Sequence, residues 1–326
     1  MRFDGFLGND GVKKQLSAMT DKGHFPHALL IEGNVGSGRK TLATLIARAA
    51  VCREENPGAR PCGVCAACRK AVHPDITFVG DDGGNIPVDT VRDVRGEAGE
   101  MPNESPYRVT VFLNAQNMLP AAQNALLKIL EEPPAHVLFI LTCENRTQLL
   151  PTILSRCVCL SLTPVEWEEA APYLQARLPQ TPAEELKKAH SLFGGTLGRV
   201  LDSVSDGTLQ RVLSLVPQIA AAVVAPGEYT LLSLLGGLEK EKDLTAGVLA
   251  GLRLVFRDAL AIRYGGTAML STAPKEAALL AGRLSGNRLT ALLEETDRLT
   301  ADLNRNMNNT LLLTRFSACL RQAAEG

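Results

Sequence analysis

The segment that most limits what this chain can become runs from His27 to Thr41. His27-Ala28-Leu29-Leu30-Ile31-Glu32 reads as a buried strand. It leads directly into Gly33-Asn34-Val35-Gly36-Ser37-Gly38-Arg39-Lys40-Thr41, and residues 41–51 then carry Leu42, Leu45 and Ile46 at helical spacing. Strand, glycine loop and helix in that order are the context of a phosphate loop, whose backbone amides meet an anion at the start of the helix. Four cysteines follow at once: Cys52, then Cys62, Cys65 and Cys68. Zinc takes thiolates tetrahedrally, and C-x-x-C spacing lets two sulfurs of one turn reach one ion. The quartet is therefore expected to hold a structural zinc, with no coordination position left open for chemistry. His73 is the weaker candidate for the fourth ligand, because a His before Pro is more often a turn residue.

The rest of the first half alternates strands with helices. Strands are expected at 75–79, 108–113, 137–142 and 157–162, and a helix at 88–100. Ala121 to Glu132 is an amphipathic helix that Pro133-Pro134 must end, and on packing grounds alone it covers a sheet. Such alternation predicts an α/β domain with a parallel sheet covered on both faces, ending near residue 162. Beyond Pro164 the pattern turns helical. Three short helices at 167–178, 183–193 and 197–205 precede a Leu- and Ala-rich tract, periodic most clearly at 248–262 and 289–303.

With 326 residues, 45% hydrophobic content and net charge −1, the chain is long enough for two or three domains. Near-zero charge argues against a free-standing nucleic-acid binder. The start, Met1 to Gly5, has no apolar h-region, and the longest apolar run, 219–225, is too short to span a bilayer. A cytoplasmic, reducing setting without membrane contact is expected, with Cys143, Cys157, Cys159 and Cys319 as small buried hydrophobes and not disulfide partners.

A working phosphate loop is G-x-x-x-x-G-K-[ST], in which Lys neutralises the β and γ oxygens and the hydroxyl binds magnesium. Here Gly33 and Gly38 keep the frame, Arg39 takes the Lys position and Lys40 the hydroxyl position, and Thr41 comes one residue late. A bulge in the first helical turn would restore Lys40-Thr41 as the working pair. Alternatively, Arg39 grips phosphate itself. The lost side chains argue against ATP or ADP as a cofactor, and the surviving amides argue for one. At the tip of the third strand, where hydrolytic relatives of this loop keep an Asp and a Glu, the chain has Asn114 and Gln116. Neutral amides are poor magnesium ligands and cannot act as a general base.

Asn124-Ala125-Leu126-Leu127-Lys128, Glu131-Glu132-Pro133-Pro134 and Ser155-Arg156-Cys157 resemble the clamp-loader branch of the AAA+ proteins, and the cysteine block is similar to the zinc module of bacterial clamp-loader subunits. Asn304-Arg305-Asn306 with Leu311-Leu312 resembles the opening of the family's last collar helix. The resemblance implies an AAA+ α/β domain at 1–162 with its zinc module at 52–68, a helical lid at 163–206 and a collar at 207–326. It implies a degenerate phosphate loop at Gly33, Gly36, Gly38, Arg39, Lys40 and Thr41, and a sensor-like Arg199 in the lid. The family has motor subunits with intact sites and a stator with a degraded one. The losses at Arg39, Lys40, Asn114 and Gln116, and the end of the chain at Gly326, are what the stator leads one to expect. Arg156 would then act as an arginine finger in trans, on ATP held by a neighbour. The implied partners are tau/gamma and delta clamp-loader subunits, the sliding clamp and primer-template DNA. Two readings compete. One is a self-sufficient ATPase motor of the tau/gamma kind, using Lys40-Thr41. The other is a zinc-dependent nucleic-acid module, for which Arg60, Arg69 and Lys70 are few flanking cations with no interleaved aromatics.

Overall fold

Five short runs of apolar residues with polar turns between them can bury both their faces only inside a sheet with helices on each side. The computed structural model, which describes residues 1–21, 24–80, 84–225, 227, 229–304 and 308–325, has that arrangement in the first of its two compact units, Met1–Glu169 and Ala170–Gly326. In chain order the first unit holds α1 (Asp10–Thr20), β1 (Ala28–Glu32), α2 (Arg39–Val51), α3 (Ala66–Arg69), β2 (Ile76–Val79), α4 (Val88–Glu97), β3 (Arg108–Phe112), α5 (Pro120–Glu131), β4 (Val137–Cys143), α6 (Pro151–Leu154) and β5 (Val158–Ser161). All the pairings are parallel, and the strand order is β2-β3-β4-β1-β5.

Alternation along the strands divides the core in two. Leu29, Ile31, Val109, Val111, Leu138 and Ile140 pack against Leu42, Ile46 and Leu16 from α2 and α1. Leu30, Phe112, Phe139 and Leu141 pack against Val91, Val94, Leu126 and Leu130 from α4 and α5. The five expected strands are all present, trimmed by one or two residues in places. Asp75 lies just before β2 and Leu162 just after β5.

The trimmed residue Asp75 has its own task. Its side chain is buried and accepts from Asn103 N at 2.6 Å, Asn103 Nδ2 at 3.1 Å, Glu104 N at 2.9 Å, Ser105 N at 3.0 Å and Ser105 Oγ at 3.0 Å. Burial pushes this carboxyl up, but the donors outweigh it and hold it below the ordinary 3.8. Its contribution to stability is therefore present above its unfolded value and is lost as pH falls through the lower folded one. Asp75→Ala is expected to cost about 3 kcal/mol in urea unfolding at neutral pH, because the donors lose their charged acceptor. A loss no larger than that of an exposed substitution would refute this role.

The second unit is all helical. After α7 (Trp167–Arg177), which straddles the boundary between the units, come α8 (Ala183–Leu192), α9 (Leu197–Ser205), α10 (Thr208–Val223), α11 (Tyr229–Gly236), α12 (Lys242–Arg263), α13 (Pro274–Arg283), α14 (Gly286–Asn304) and α15 (Asn309–Glu325). Gly247 and Gly251, one turn apart on α12, face Val212 and Val216 of α10, and a Cβ on either glycine would stand within 2.7 Å or 2.5 Å of a valine methyl. Buried Asp258 of α12 accepts from Leu270 N at 2.9 Å and Ser271 N at 2.7 Å, fastening the segment before α13. Of the Asn304-Arg305-Asn306 stretch, Arg305 and Asn306 lie outside the described residues.

Candidate functional site

In a parallel α/β sheet, loops at the carboxyl ends of the strands form the ligand crevice, most often where the strand order reverses. β1 sits between β4 and β5, and the glycine loop leaves its carboxyl end. Gly33 N donates to Cys143 O at 3.1 Å, tying the loop to the end of β4. A Cβ there would stand 2.6 Å from Ser37 Oγ and 3.1 Å from Leu162 Cβ, so any larger residue would have to displace Ser37. Gly36 and Gly38 have φ of 81° and 91°, and Gly38 caps α2. Leu42 N donates to Gly38 O at 2.9 Å, so α2 begins with a regular turn and carries no bulge. Arg39 therefore holds the first helical position, earlier than the expected start at 41, and Thr41 remains one residue late and exposed.

Arg39 is directed inward. Its side chain is 10% exposed, with Nη2 4.0 Å from Glu144 Oε1 just past β4. Burial pulls the guanidinium below its ordinary value, and Glu144 offsets part of that. Arg39 Nη1, Ser37 Oγ and Gln116 Oε1 are buried without a protein hydrogen-bond partner. Asn114 stands at the end of β3 with φ of 53°, a left-handed conformation that Asn tolerates, and its N–H donates to Thr142 Oγ1 at 3.0 Å. Glycine loop, Asn114, Gln116 and Glu144 thus gather around the carboxyl ends of β1, β3 and β4. No carboxylate stands at the two amide positions. Burial pushes the neighbouring Cys143 thiol up to about 12, so it stays protonated.

Arg156 lies at the other end of the sheet. It precedes β5, and the register pairs Leu29 with Val158, which puts Arg156 about 20 Å along the strand direction from Gly33. Its own glycine loop is out of reach of a side chain. Arg156 Nη1 donates to Thr152 O at 2.9 Å and Ser155 Oγ at 3.3 Å, and Nη2 donates to Glu131 Oε1 at 2.8 Å at the end of α5. This half-exposed clip fixes the direction of the arginine. Arg199 is in the second unit, on α9, with its guanidinium 5.5 Å from the Phe193 ring.

The cysteines do come together. The sulfurs of Cys52, Cys62, Cys65 and Cys68 all lie within 4.8 Å of one another, and Cys52 Sγ and Cys65 Sγ are 3.9 Å apart. Four sulfurs at the Zn–S distance of about 2.3 Å would have edges of about 3.8 Å, so the donor set fits a tetrahedral thiophilic ion. Backbone amides already point at the sulfurs: Cys62 N to Cys52 at 3.4 Å, Cys65 N to Cys62 at 3.3 Å and Cys68 N to Cys65 at 3.4 Å. Burial raises Cys65, but amide and thiol hydrogen bonds outweigh it and bring that thiol down to about 6. His73 is not in the cluster. Its Nδ1 instead accepts from Asp75 N at 3.1 Å. The Asp75 network extends to the cysteine block, because Glu104, held by Asp75, pairs with Lys70 and lies 3.9 Å from Arg53.

The strand order, the glycine loop between β1 and α2 and the covered parallel sheet define an AAA+ type α/β fold with a helical second unit. The family described as "DNA polymerase III, delta subunit" matches residues 8–166. The DNA polymerase III subunit delta-prime of Escherichia coli is 30% identical over 96% of this chain and 94% of its own length. The DNA polymerase III subunit tau of Bacillus subtilis is 31% identical over 67% of this chain but only 37% of its own length. Among solved structures, a gamma subunit-related DNA polymerase III protein from Thermotoga maritima is similar over 96% of this chain and 99% of its own, at 14% identity and a TM-score of 0.48. The chain belongs to the delta-prime family of DNA polymerase III subunits. No helix among the described residues is long and apolar enough to cross a membrane.

Proposed function

We propose that this chain is the stator of the DNA polymerase III clamp loader, a cytoplasmic assembly in which it works with tau/gamma and delta subunits to load the sliding clamp on primer-template DNA. The observation that carries the reading is the pair Asn114 and Gln116 at the end of β3, which leaves those two positions without the carboxylates that would hold magnesium and activate water. With Arg39 turned inward toward Glu144 and Thr41 out of register, the residues Gly33, Gly36, Gly38, Arg39, Lys40 and Thr41 serve to seat α2 against β1 and not to hydrolyse ATP. Arg156, at the far end of the sheet from its own loop, serves a neighbour as the arginine finger. Arg199 belongs to the lid at 163–206, and the helices at 207–326 form the collar that joins the ring.

Cys52, Cys62, Cys65 and Cys68 would hold zinc, which ties the chain together when bound and takes no part in the reaction. The tau relative keeps the motor reading testable. The purified chain is expected to show no magnesium-dependent ATP hydrolysis above a buffer blank, and to co-purify with tau/gamma and delta as one species by mass measurement. Turnover by the isolated chain that Lys40→Ala abolishes would instead make it a motor.

A further inference from the structure

A cleft of about 110 Å³ opens beside the cysteine cluster. Thr44 and Arg48 come to it from α2, Lys70 and Val72 from the segment leaving the cluster, and Ile76 and Phe78 from β2. Among the described residues β2 is an edge strand, with β3 as its one neighbour in the sheet. Val109 N and Leu113 N donate to Asp75 O and Val79 O, so residues 75 and 79 turn their backbone groups toward β3. Alternation turns those of residues 76 and 78 outward. Ile76 N is taken by His73 O at 3.1 Å, which among the described residues leaves the outward N–H and C=O of Phe78 and the C=O of Ile76.

Apolar surface and charge flank this open edge. Phe78 is 39% exposed and Val72 84% exposed. Glu104 answers Lys70. Arg48 is exposed and makes no ion pair among the described residues, so it supplies the uncompensated charge of the rim. An unpaired strand edge, a pocket for one side chain and a lone cation fit one kind of occupant. A nucleic-acid strand would need a run of cations and successive stacking rings, and the cleft offers two cations, Arg48 and Lys70, the second already paired with Glu104, and one exposed ring, Phe78, since His73 is buried.

We propose that the outer edge of β2 and the adjoining cleft dock an extended acidic peptide segment of a partner protein. It adds as a strand beside β2, seats one apolar side chain between Val72, Ile76 and Phe78, and sets a carboxylate on Arg48.

The test uses the full chain and fluorescein-labelled hexapeptides that alternate Leu with Glu, read by anisotropy. Saturable binding is expected. Arg48→Glu should weaken it at least about fivefold, the scale of losing and reversing one exposed ion pair. Phe78→Ala should weaken it comparably, and N-methylating alternate peptide amides should abolish it, because the added strand loses its ladder bonds. Hydrogen exchange at the Phe78 amide should slow when peptide is present. Arg48 is exposed on α2, so circular dichroism and bound metal should not change in its variant. Four results would overturn the proposal: no binding, equal binding of the matching Leu/Lys peptides, indifference to Arg48→Glu, or tighter Arg48-dependent binding of oligo(dT). A dimer of the free chain that Phe78→Ala dissociates would also overturn it, by assigning the edge to a second copy.

Discussion

Arg156→Ala is expected to leave the fold intact and to lower ATP turnover about a thousandfold at the neighbouring site that receives this arginine in the assembled loader. The fold should survive because the Arg156 side chain, among the described residues, hydrogen-bonds to the Thr152 carbonyl, the Ser155 hydroxyl and the Glu131 carboxylate, all in exposed surroundings. A surface pair of this kind contributes under about 1 kcal/mol. The catalytic effect should be large for a different reason. A guanidinium aimed at the γ-phosphate acts where charge moves in the transition state, in a crevice from which water is excluded. The measurement is DNA-stimulated ATPase of a loader rebuilt from tau/gamma, delta and this chain, with the sliding clamp present. An unchanged rate would remove the finger role. Glu131→Gln adds a second arm, since it weakens the clip and leaves the guanidinium in place. Turnover at or above the native rate is expected there, whereas a loss equal to that of Arg156→Ala would mean that the pair acts as a structural unit.

Cys65→Ser is expected to reduce bound zinc from about one per chain to well below that, and to destabilise the first unit by about 5 kcal/mol or more. Zinc fingers of isolated peptides owe all their folding to the metal. Here the α/β sheet has its own core, so the loss should be partial and should begin at the cysteine block. Ala67, between two of the ligands, packs into the core cluster beneath α2, and Cys52 is itself buried at the end of that helix. Loosening the block therefore opens the face of the sheet that α2 covers. Metal analysis of protein never exposed to chelator, with thermal unfolding of both forms, checks this. A native chain without zinc would sink the assignment.

The strands and the glycine loop were legible because their signals are local. Leu29 to Ile31 are apolar on both faces, and Gly33, Gly36 and Gly38 stand where the backbone needs them. The cysteine spacing was equally local, and the four sulfurs meet as the spacing predicts. What could not be read depends on contacts distant in sequence. Asp75 looked like the first residue of a strand, and its role as acceptor for the 103–105 segment appears only once β2 and that segment are adjacent. Arg39 read as a phosphate grip, or as a residue bypassed by a bulge that makes Lys40-Thr41 the working pair, and nothing near it in sequence pointed to Glu144, which the pairing of β1 with β4 brings close. The clip between Arg156 and Glu131 joins residues 25 apart in the same way. Helix α1 went unread because polar residues dominate it, and three residues, Val12, Leu16 and Thr20, carry its buried side.

Where Gly247 and Gly251 meet Val212 and Val216, the backbone of one helix lies directly on the valine methyls of the other. Contact that close leaves only two stiff, β-branched side chains between the rods and little gap to slide into. A push delivered to one rod should be felt by its companion. Whatever torque this half of the molecule receives, α10 and α12 should carry it as a single stiff lever.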